Sequence, residues 1–355
     1  MGMLGKLLDR FRQKGPSRPR SKAETEKRRR LLIVLLIVLA VVSSVSVVGY
    51  GYYDTNVKPW HEPILKVNGT VFDMRYFVNM MRLSGATSSE YAQYVVSGME
   101  ESELMRQGLE DQFGVDIGAV TSDEAVEAFL RPIFVSNGKI SDNATEDEYQ
   151  QVYRDWVADW TETYGISEKD LIDLGIKPSL ISEELQKQIG DAQYPATDNY
   201  EHAQVQALLV TGSDNATLMR TRWENGEAFD TLAEDESVSA SIRDTGTDNA
   251  TANWVARGIK SVAFDNYTFS ATPGVLSEPI QDSDSSGKYW VIKVLATEWR
   301  QLSDTDRDTL VGEAFDKWLE EAKNSGENEI VNYLNEEGGT AKLAWAVDHA
   351  TVSTS

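Results

Sequence analysis

VQALLV (205–210), RWENGEAFDTLAEDES (222–237), NWVARGIKSVAFDNYTF (253–269), TPGVLSEPIQ (272–281) and KYWVIKVL (288–295) decide how this chain is read. Val205–Val210 and Tyr289–Leu295 are short apolar runs of strand length, rich in β-branched residues. Between them, Thr217–Asn225 predicts a helix ending at Gly226, and Phe229–Glu236 a second one with Phe229, Leu232 and Ala233 on one face. Val262, Phe264 and Phe269 supply further apolar positions, and the intervening loop is rich in Asp, Thr and Gly. Two strands enclosing helices predict a small α+β domain with a mixed sheet.

Outward from this stretch, charge divides the chain. Residues 1–30 hold 11 Lys/Arg and 3 Asp/Glu, which leaves 23 Lys/Arg against 54 Asp/Glu in the rest. A strongly acidic body repels nucleic acid, so no nucleic-acid partner is expected. The chain has no cysteine, so disulfides, thiolate ligands and a Cys nucleophile are excluded. Arg28, Arg29 and Arg30 abut a run from Leu31 to Tyr53 with no charged residue. Those 23 residues would span about 34 Å as a helix, enough for a hydrocarbon core of roughly 30 Å. A cleaved signal peptide would have a shorter apolar core, roughly 7–15 residues. The reading is therefore an uncleaved transmembrane helix (31–53), with Tyr50, Tyr52 and Tyr53 at the interface. Residues 1–30 form a basic cytoplasmic tail, and the bulk of the chain lies outside the cytoplasm.

Residues 54–200 read as a helical arm. Ile64–Val67 predicts a short strand, Asn68-Gly69 a turn, and a helix follows from Val71 with Phe72, Tyr76, Phe77 and Met80 on its apolar face. Ser89–Phe113 predicts a long helix with Tyr91, Tyr94, Val95, Met99, Leu104 and Leu109 buried and Gly114 at its C-cap. Thr121 or Ser122 caps the next helix, with Glu124 as a capping-box partner. Thr145–Tyr164, Ser167–Leu174 and Ser179–Ile189 read as further helices. Tyr153, Trp156, Trp160 and Tyr164 have two readings, helix packing or an aromatic groove open to apolar segments. After the central stretch, Asp304–Asn324 predicts a helix with Ser303 as N-cap and Leu310, Ala314, Phe315 and Trp318 on one stripe. Ala341–Ser355 carries no signal.

The order of short strand, Val67-Asn68-Gly69, helix, long helix and SDEAV (122–126) resembles the N-terminal domain of SurA/PrsA-type foldases. The central stretch is similar to parvulin-type (PpiC-like) peptidyl-prolyl isomerases. Trp223, Gly226, Phe229, Leu232, Ala233 and Ser237 match that family's helix pair, and Arg257-Gly258 its Arg-Gly. Pro273, Gly274, Ser277 and Pro279 match its Pro-Gly turn, and YWVIKV (289–294) its last strand. The resemblance implies a chaperone arm (54–200), an inserted parvulin-like domain (201–298) and a C-terminal helix and strand (299–340) returning to the arm, with 341–355 as a tail. Phe315, Trp318 and Leu319 would then bury against the arm. It also implies unfolded or exported polypeptides as partners.

The family's polar catalytic positions, two histidines and an acid or Cys, map to Ala207, Trp290 and Thr251. The proline-pocket positions map to Trp254, Lys260, Phe264 and Phe269, with Lys260 in place of a Met. His61, His202 and His349 fall outside these slots. Rotation about the prolyl bond must cross a barrier of about 18–20 kcal/mol. Without preorganised polar groups a pocket can bind but has little with which to favour the twisted amide. The expectation is a chaperone with weak or absent isomerase activity. An active isomerase with a rebuilt polar cluster and a structural subunit of an envelope complex are the alternatives. No cofactor or metal is expected: Walker, GxGxxG, HExxH, GxSxG and EF-hand patterns are missing, and Asp282, Asp284 and Asp304–Asp308 read as solvated surface. Asn68, Asn143, Asn215, Asn249 and Asn266 each begin an Asn-x-Thr sequon.

Overall fold

The computed structural model describes residues 52–235, 237–238 and 253–351. The expected membrane helix (31–53) lies almost wholly outside them, as does the basic tail. Among the described residues no helix is long and apolar enough to cross a membrane. Contacts divide the chain into two units, Met1–Ile64 with Phe72–Tyr76, and Leu65–Val71 with Phe77–Ser355. The fold is mixed α+β, mostly helical, with small antiparallel sheets.

In the first unit, the described residues make a short 3₁₀ turn, Lys58–His61. The Met74 N–H donates to the Glu62 carbonyl at 2.8 Å. Phe72 and Tyr76 rings meet at 4.8 Å. Strand β2 (Thr70–Asp73) comes before helix α1 (Met74–Ser84), so the helix starts three residues later than Val71. The Asp73 carboxylate accepts from the Tyr76 N–H at 3.0 Å and sets that start, as a helix N-cap does. Its buried face is Met74, Phe77, Val78 and Met81, with Met80 only half-buried.

In the second unit, Leu65–Val67 of β1 (Pro63–Val67) pairs antiparallel with β7 (Ile330–Asn332). Asn68 turns the chain at φ 52. Its amide donates to Gln107 at 2.6 Å and Asn328 at 2.9 Å, and its carbonyl oxygen accepts from the Glu329 N–H at 2.8 Å. The Asn of the Val-Asn-Gly signature therefore ties three distant pieces of chain together. Helix α2 (Ser89–Asp111) buries Val95, Met99, Leu104 and Leu109 as expected, but Tyr91 and Tyr94 are 62% and 68% exposed. They stand on its first turns, with their rings 6.5 Å apart. Glu103 of α2 is buried. Desolvation would raise its carboxyl, but hydrogen bonds from Arg106, Thr70 and Gln107 outweigh this and hold it below the ordinary range.

Helix α3 (Asp123–Ser136) is capped by Ser122, whose hydroxyl accepts from the Ala125 N–H at 3.2 Å. Ser122 is thus the cap rather than Thr121, and the capping box belongs to the next helix. There Thr145 and Glu148 cap each other at the start of α4 (Glu146–Tyr164), and Gly165 ends it at φ 62. After a π-helical turn (Leu171–Ile176) comes α5 (Lys177–Gln193).

The second sheet joins β3 (Asn199–Thr211), β4 (Asn253–Ala256), β5 (Ile280–Gln281) and β6 (Lys288–Gln301) in the order β4-β3-β6-β5. Every recorded pair is antiparallel, so the mixed sheet expected from sequence is corrected. The connection through α6 (Ser213–Glu224) and α7 (Phe229–Ala233) brings the chain back at Asn253 opposite Val205. With Asn253 opposite Val205 and Ala256 opposite His202, β4 runs against β3, whereas two parallel strands would run the same way. Strands β3 and β6 also run several residues beyond their apolar cores, through NYEHA and ATEWRQ. Those extensions have no hydrophobic alternation to reveal them. Ala203, Val205, Ala207 and Leu209 share one face of the sheet with Trp290, Ile292 and Val294, under α8 (Val262–Thr268). Leu208, Val210 and Val291 form the other face, covered by α6 and α7.

Helix α9 (Asp304–Asn324) packs on α5 and α2, with Phe315, Trp318 and Leu319 against Leu109, Ile181 and Leu185. A Cβ at Gly108 would come within 2.2 Å of the Trp318 ring, so only glycine lets the indole lie on α2. The Trp318 N–H donates to Gln112 at 2.9 Å, and Arg307 donates to the Tyr194 carbonyl at 2.8 Å. The stretch that gave no signal forms α10 (Gly339–Ala350), where Ala346 is fully buried.

Candidate functional site

Trp290 occupies one end of the β6 core run, directly across from Leu209 on β3 and Ile280 on β5. Ala207 lies across from Ile292, one step along the same face. Strand alternation puts both on the side covered by α8, where Phe264 meets the Trp290 ring edge-to-face at 4.9 Å. Ala207 and Phe264 have no exposed surface and Trp290 has 3%. These three sequence-predicted residues are thus brought into one closed core.

The indole N–H has two acceptors, Asp282 Oδ1 at 2.8 Å and Ser261 Oγ at 3.1 Å. Both partners are buried, Asp282 at 6% exposure. Asp282 is therefore not solvated surface, contrary to the sequence reading. Its burial would raise the carboxyl, but hydrogen bonds from Ser261, Trp290 and Ser285 together hold it below the ordinary carboxylate range. Ser261 also caps α8 by accepting from the Phe264 N–H at 3.3 Å. Ser277, equally buried, accepts from the Ile292 N–H at 2.8 Å and fixes the Pro-Gly turn on β6. The result is a hydrogen-bonded network facing inward, with carboxylate, indole and hydroxyl each engaged.

The remaining pocket candidates lie outside this core. Trp254 alternates on β4 with Val255, which is in the core, so Trp254 is directed to the opposite face. Arg300 stacks over it at 4.6 Å. Phe269 packs at the margin of the core, with Arg257 over its ring at 4.2 Å. Lys260 is half-buried in the turn before α8. Thr251 lies outside the described residues. His202 is buried on β3 and its Nδ1 pairs with the Tyr200 carbonyl at 2.8 Å, away from the Trp290 network. Among the described residues no group of His, Asp or Glu is arranged to hold a metal ion. Asp282 and Ser261 are what sequence reasoning missed. The available signal was indirect: a Trp buried in a sheet requires an acceptor for its N–H, but nothing local says which residue supplies it.

A second aromatic site stands on α4. Tyr149, Tyr153, Trp156, Trp160 and Tyr164 form a chain of ring contacts at 6.1, 6.1, 5.8 and 5.1 Å. Their spacing of three and four residues keeps them on one helix face. Phe134 of α3 touches both Tyr149 and Trp156 at 5.9 Å. Tyr149 is buried and its hydroxyl is pushed up to about 12, mainly by that burial. Tyr153, Trp156, Trp160 and Tyr164 remain half-exposed, so the face both packs and opens to solvent. A cavity of about 660 Å³ is lined by Ile133, Phe134, Trp156 and Trp160 together with Lys139, Asp155 and Asp159. Another of about 360 Å³ lies against Tyr149 and Tyr153, bordered by Asp123, Glu124, Glu127 and Glu168. Of the sequons, Asn68 has its amide committed inside the fold, Asn143, Asn215 and Asn266 are exposed, and Asn249 is outside the described residues.

No protein-family model matches the chain. It is 23% identical over 258 residues to foldase protein PrsA 2 of Bacillus cereus, covering 71% of this chain and 85% of that protein. A crystal structure of the peptidylprolyl isomerase PrsA from Bacillus anthracis aligns at 14% identity and a TM-score of 0.38, over 72% of this chain and 99% of the other. The PrsA structure from Bacillus cereus aligns at 16% identity and 0.34, over 83% and 95%. By sequence and over most of its length the chain is similar to a PrsA foldase, in keeping with the SurA/PrsA-type foldases that its motifs resemble.

Proposed function

We propose that this protein is a membrane-anchored folding factor acting outside the cytoplasm, which binds unfolded polypeptides and has weak or absent prolyl isomerase activity. Residues 31–53 are its anchor, 54–200 its chaperone arm, 201–298 a parvulin-like module, and 299–340 the segment that returns to the arm. The observation that carries the reading is Trp290. It fills the space where the family resemblance calls for a histidine, and its N–H is used up on Asp282 and Ser261. Phe264 beneath it is fully enclosed and offers no surface to a prolyl ring. A site that neither admits the ring nor presents a free polar group has no means of favouring a twisted amide. The half-exposed ladder on α4 supports the chaperone part, since exposed aromatic clefts mark places where apolar segments bind.

The test uses the full chain in lipid nanodiscs. Prolyl isomerisation in a model peptide is expected to proceed at its uncatalysed rate, while aggregation of a chemically denatured reporter protein is suppressed. A catalysed rate about tenfold or more above background, enough to report about 1.4 kcal/mol of barrier lowering, would mean an active isomerase. Absence of any aggregation suppression would leave the structural-subunit reading. Protease digestion of intact cells tests the topology, with residues after 54 expected to be cut from outside.

A further inference from the structure

The two cavities on α4 differ in character, and the difference points to a class of client. The larger is walled by the buried Phe134 and the half-exposed indoles of Trp156 and Trp160, which suit an aromatic or large aliphatic side chain. The smaller has two stacked tyrosines, Tyr149 and Tyr153, at 26° between planes. Around them stand Asp123, Glu124, Glu127 and Glu168, and no Lys or Arg lines it. Arg131 spans Glu127 and Glu146 and lies over the Tyr149 ring at 4.5 Å, so this helix pair already holds one guanidinium in a carboxylate and aromatic setting. Tyr153 donates to Glu168 at 3.0 Å, which holds that carboxylate beside the phenol hydroxyl.

Resting on the chaperone reading above, we infer that the α3–α4 face selects unfolded segments in which Lys or Arg stands close to an aromatic or large aliphatic residue. The apolar side chain packs into the cavity against Trp156 and Trp160 and the cation goes to the carboxylates beside Tyr149 and Tyr153. Charge decides among the other occupants. A second copy of this chain brings another body with 54 Asp/Glu against 23 Lys/Arg, and an anionic lipid surface brings the same sign. Both are repelled, whereas a basic segment is drawn in.

The experiment measures binding of fluorescent peptides to the full chain in detergent micelles by anisotropy. The peptides form a set: one with Lys and Phe adjacent, one with Lys replaced by Glu, one with Phe replaced by Ser. The Lys–Phe peptide is expected to bind best. The Glu peptide is expected to bind at least about tenfold more weakly at low salt, a gap that narrows at high salt as screening shortens to about 3 Å. Glu124→Gln combined with Glu168→Gln is expected to weaken the Lys–Phe peptide by about fivefold, and Glu320→Gln, on exposed α9 surface, to leave it unchanged. Equal affinity for the Lys and Glu peptides overturns the inference. So does equal loss from the cleft variant and Glu320→Gln, which would assign the preference to overall charge. If aggregation suppression persists without discrimination, this inference alone falls. If suppression and peptide binding are both absent, the chaperone reading falls with it.

Discussion

Two aromatic clusters in this protein use the same side chains to opposite ends. Trp290 and Phe264 are both enclosed, and the one polar atom of the indole is matched by two acceptors. Along α4 the rings touch one another in the same way, but all except Tyr149 keep a surface in water. The first cluster lies between a sheet and a helix that cover both sides. The second lies on a helix whose neighbour α3 covers only part of it. Enclosure turns aromatic residues into stability, and incomplete enclosure leaves apolar area available to a partner.

The largest expected effect tests the closed cluster. Phe264→Ala should cost about 3–5 kcal/mol in urea unfolding followed by circular dichroism. Trp290→Phe should cost about 1–3 kcal/mol, because Asp282 keeps its burial and loses a donor. If Phe264→Ala unfolds no more easily than the parent, the cluster is open and the contrast fails. Next comes Gly108→Ala, which drives a methyl into the Trp318 ring and should cost about 1–3 kcal/mol by the same measurement. A smaller effect belongs to the open cluster. Trp160→Ala should change stability by less than about 1 kcal/mol while weakening binding of the Lys–Phe peptide. A stability loss equal to that of Phe264→Ala would make the ladder ordinary core.

Two carboxylates near the closed cluster should respond to acid in opposite senses. Asp282 is held below its ordinary value of 3.8, so the stability it contributes is complete above that value and is lost as pH falls through the lower folded value. Acid unfolding as pH falls below 3.8 should therefore be shallower for Asp282→Asn than for the parent. Asp265 is raised from 3.8, chiefly by burial, with a hydrogen bond from the Gly258 N–H and the Arg257 charge opposing. Its contribution is present below the unfolded value and lost as pH rises through the folded one. Asp265→Asn should thus leave stability at neutral pH unchanged or slightly improved, with a Tm rise of under about 2 °C. A clear loss at neutral pH would show that its charge is needed.

Much of the element order was legible. Asp304–Asn324 is a helix with Ser303 as its cap, because cap chemistry and an apolar stripe coincide there. Helices at 89, 146 and 177 and strands at 63, 205 and 289 stand where periodicity and turn residues put them, with ends shifted by a few residues, and the strand at 330 stands where the family resemblance implied one. The misses have local reasons. Tyr91 and Tyr94 satisfy the helical stripe but stay exposed, and burial is set by tertiary packing rather than by periodicity. The polar ends of β3 and β6 are strands because each pairs with the other, a demand made by a distant segment. Asp282 looked like surface because acidic residues crowd its neighbourhood, yet it lies buried under an indole.

By itself, the sequence determined most of the longer helices and the apolar cores of the main strands, the charge division and the absence of histidines from the slots of the resemblance. Those follow from residue type and spacing, which act over a few neighbours along the chain. Only the tertiary structure decided that the sheet is antiparallel, that Trp290 is sealed by Asp282 and Ser261, and that the α4 ladder stays half-open. Each of these depends on which segments come together across the fold, and burial or exposure is settled by that meeting rather than by the residues themselves.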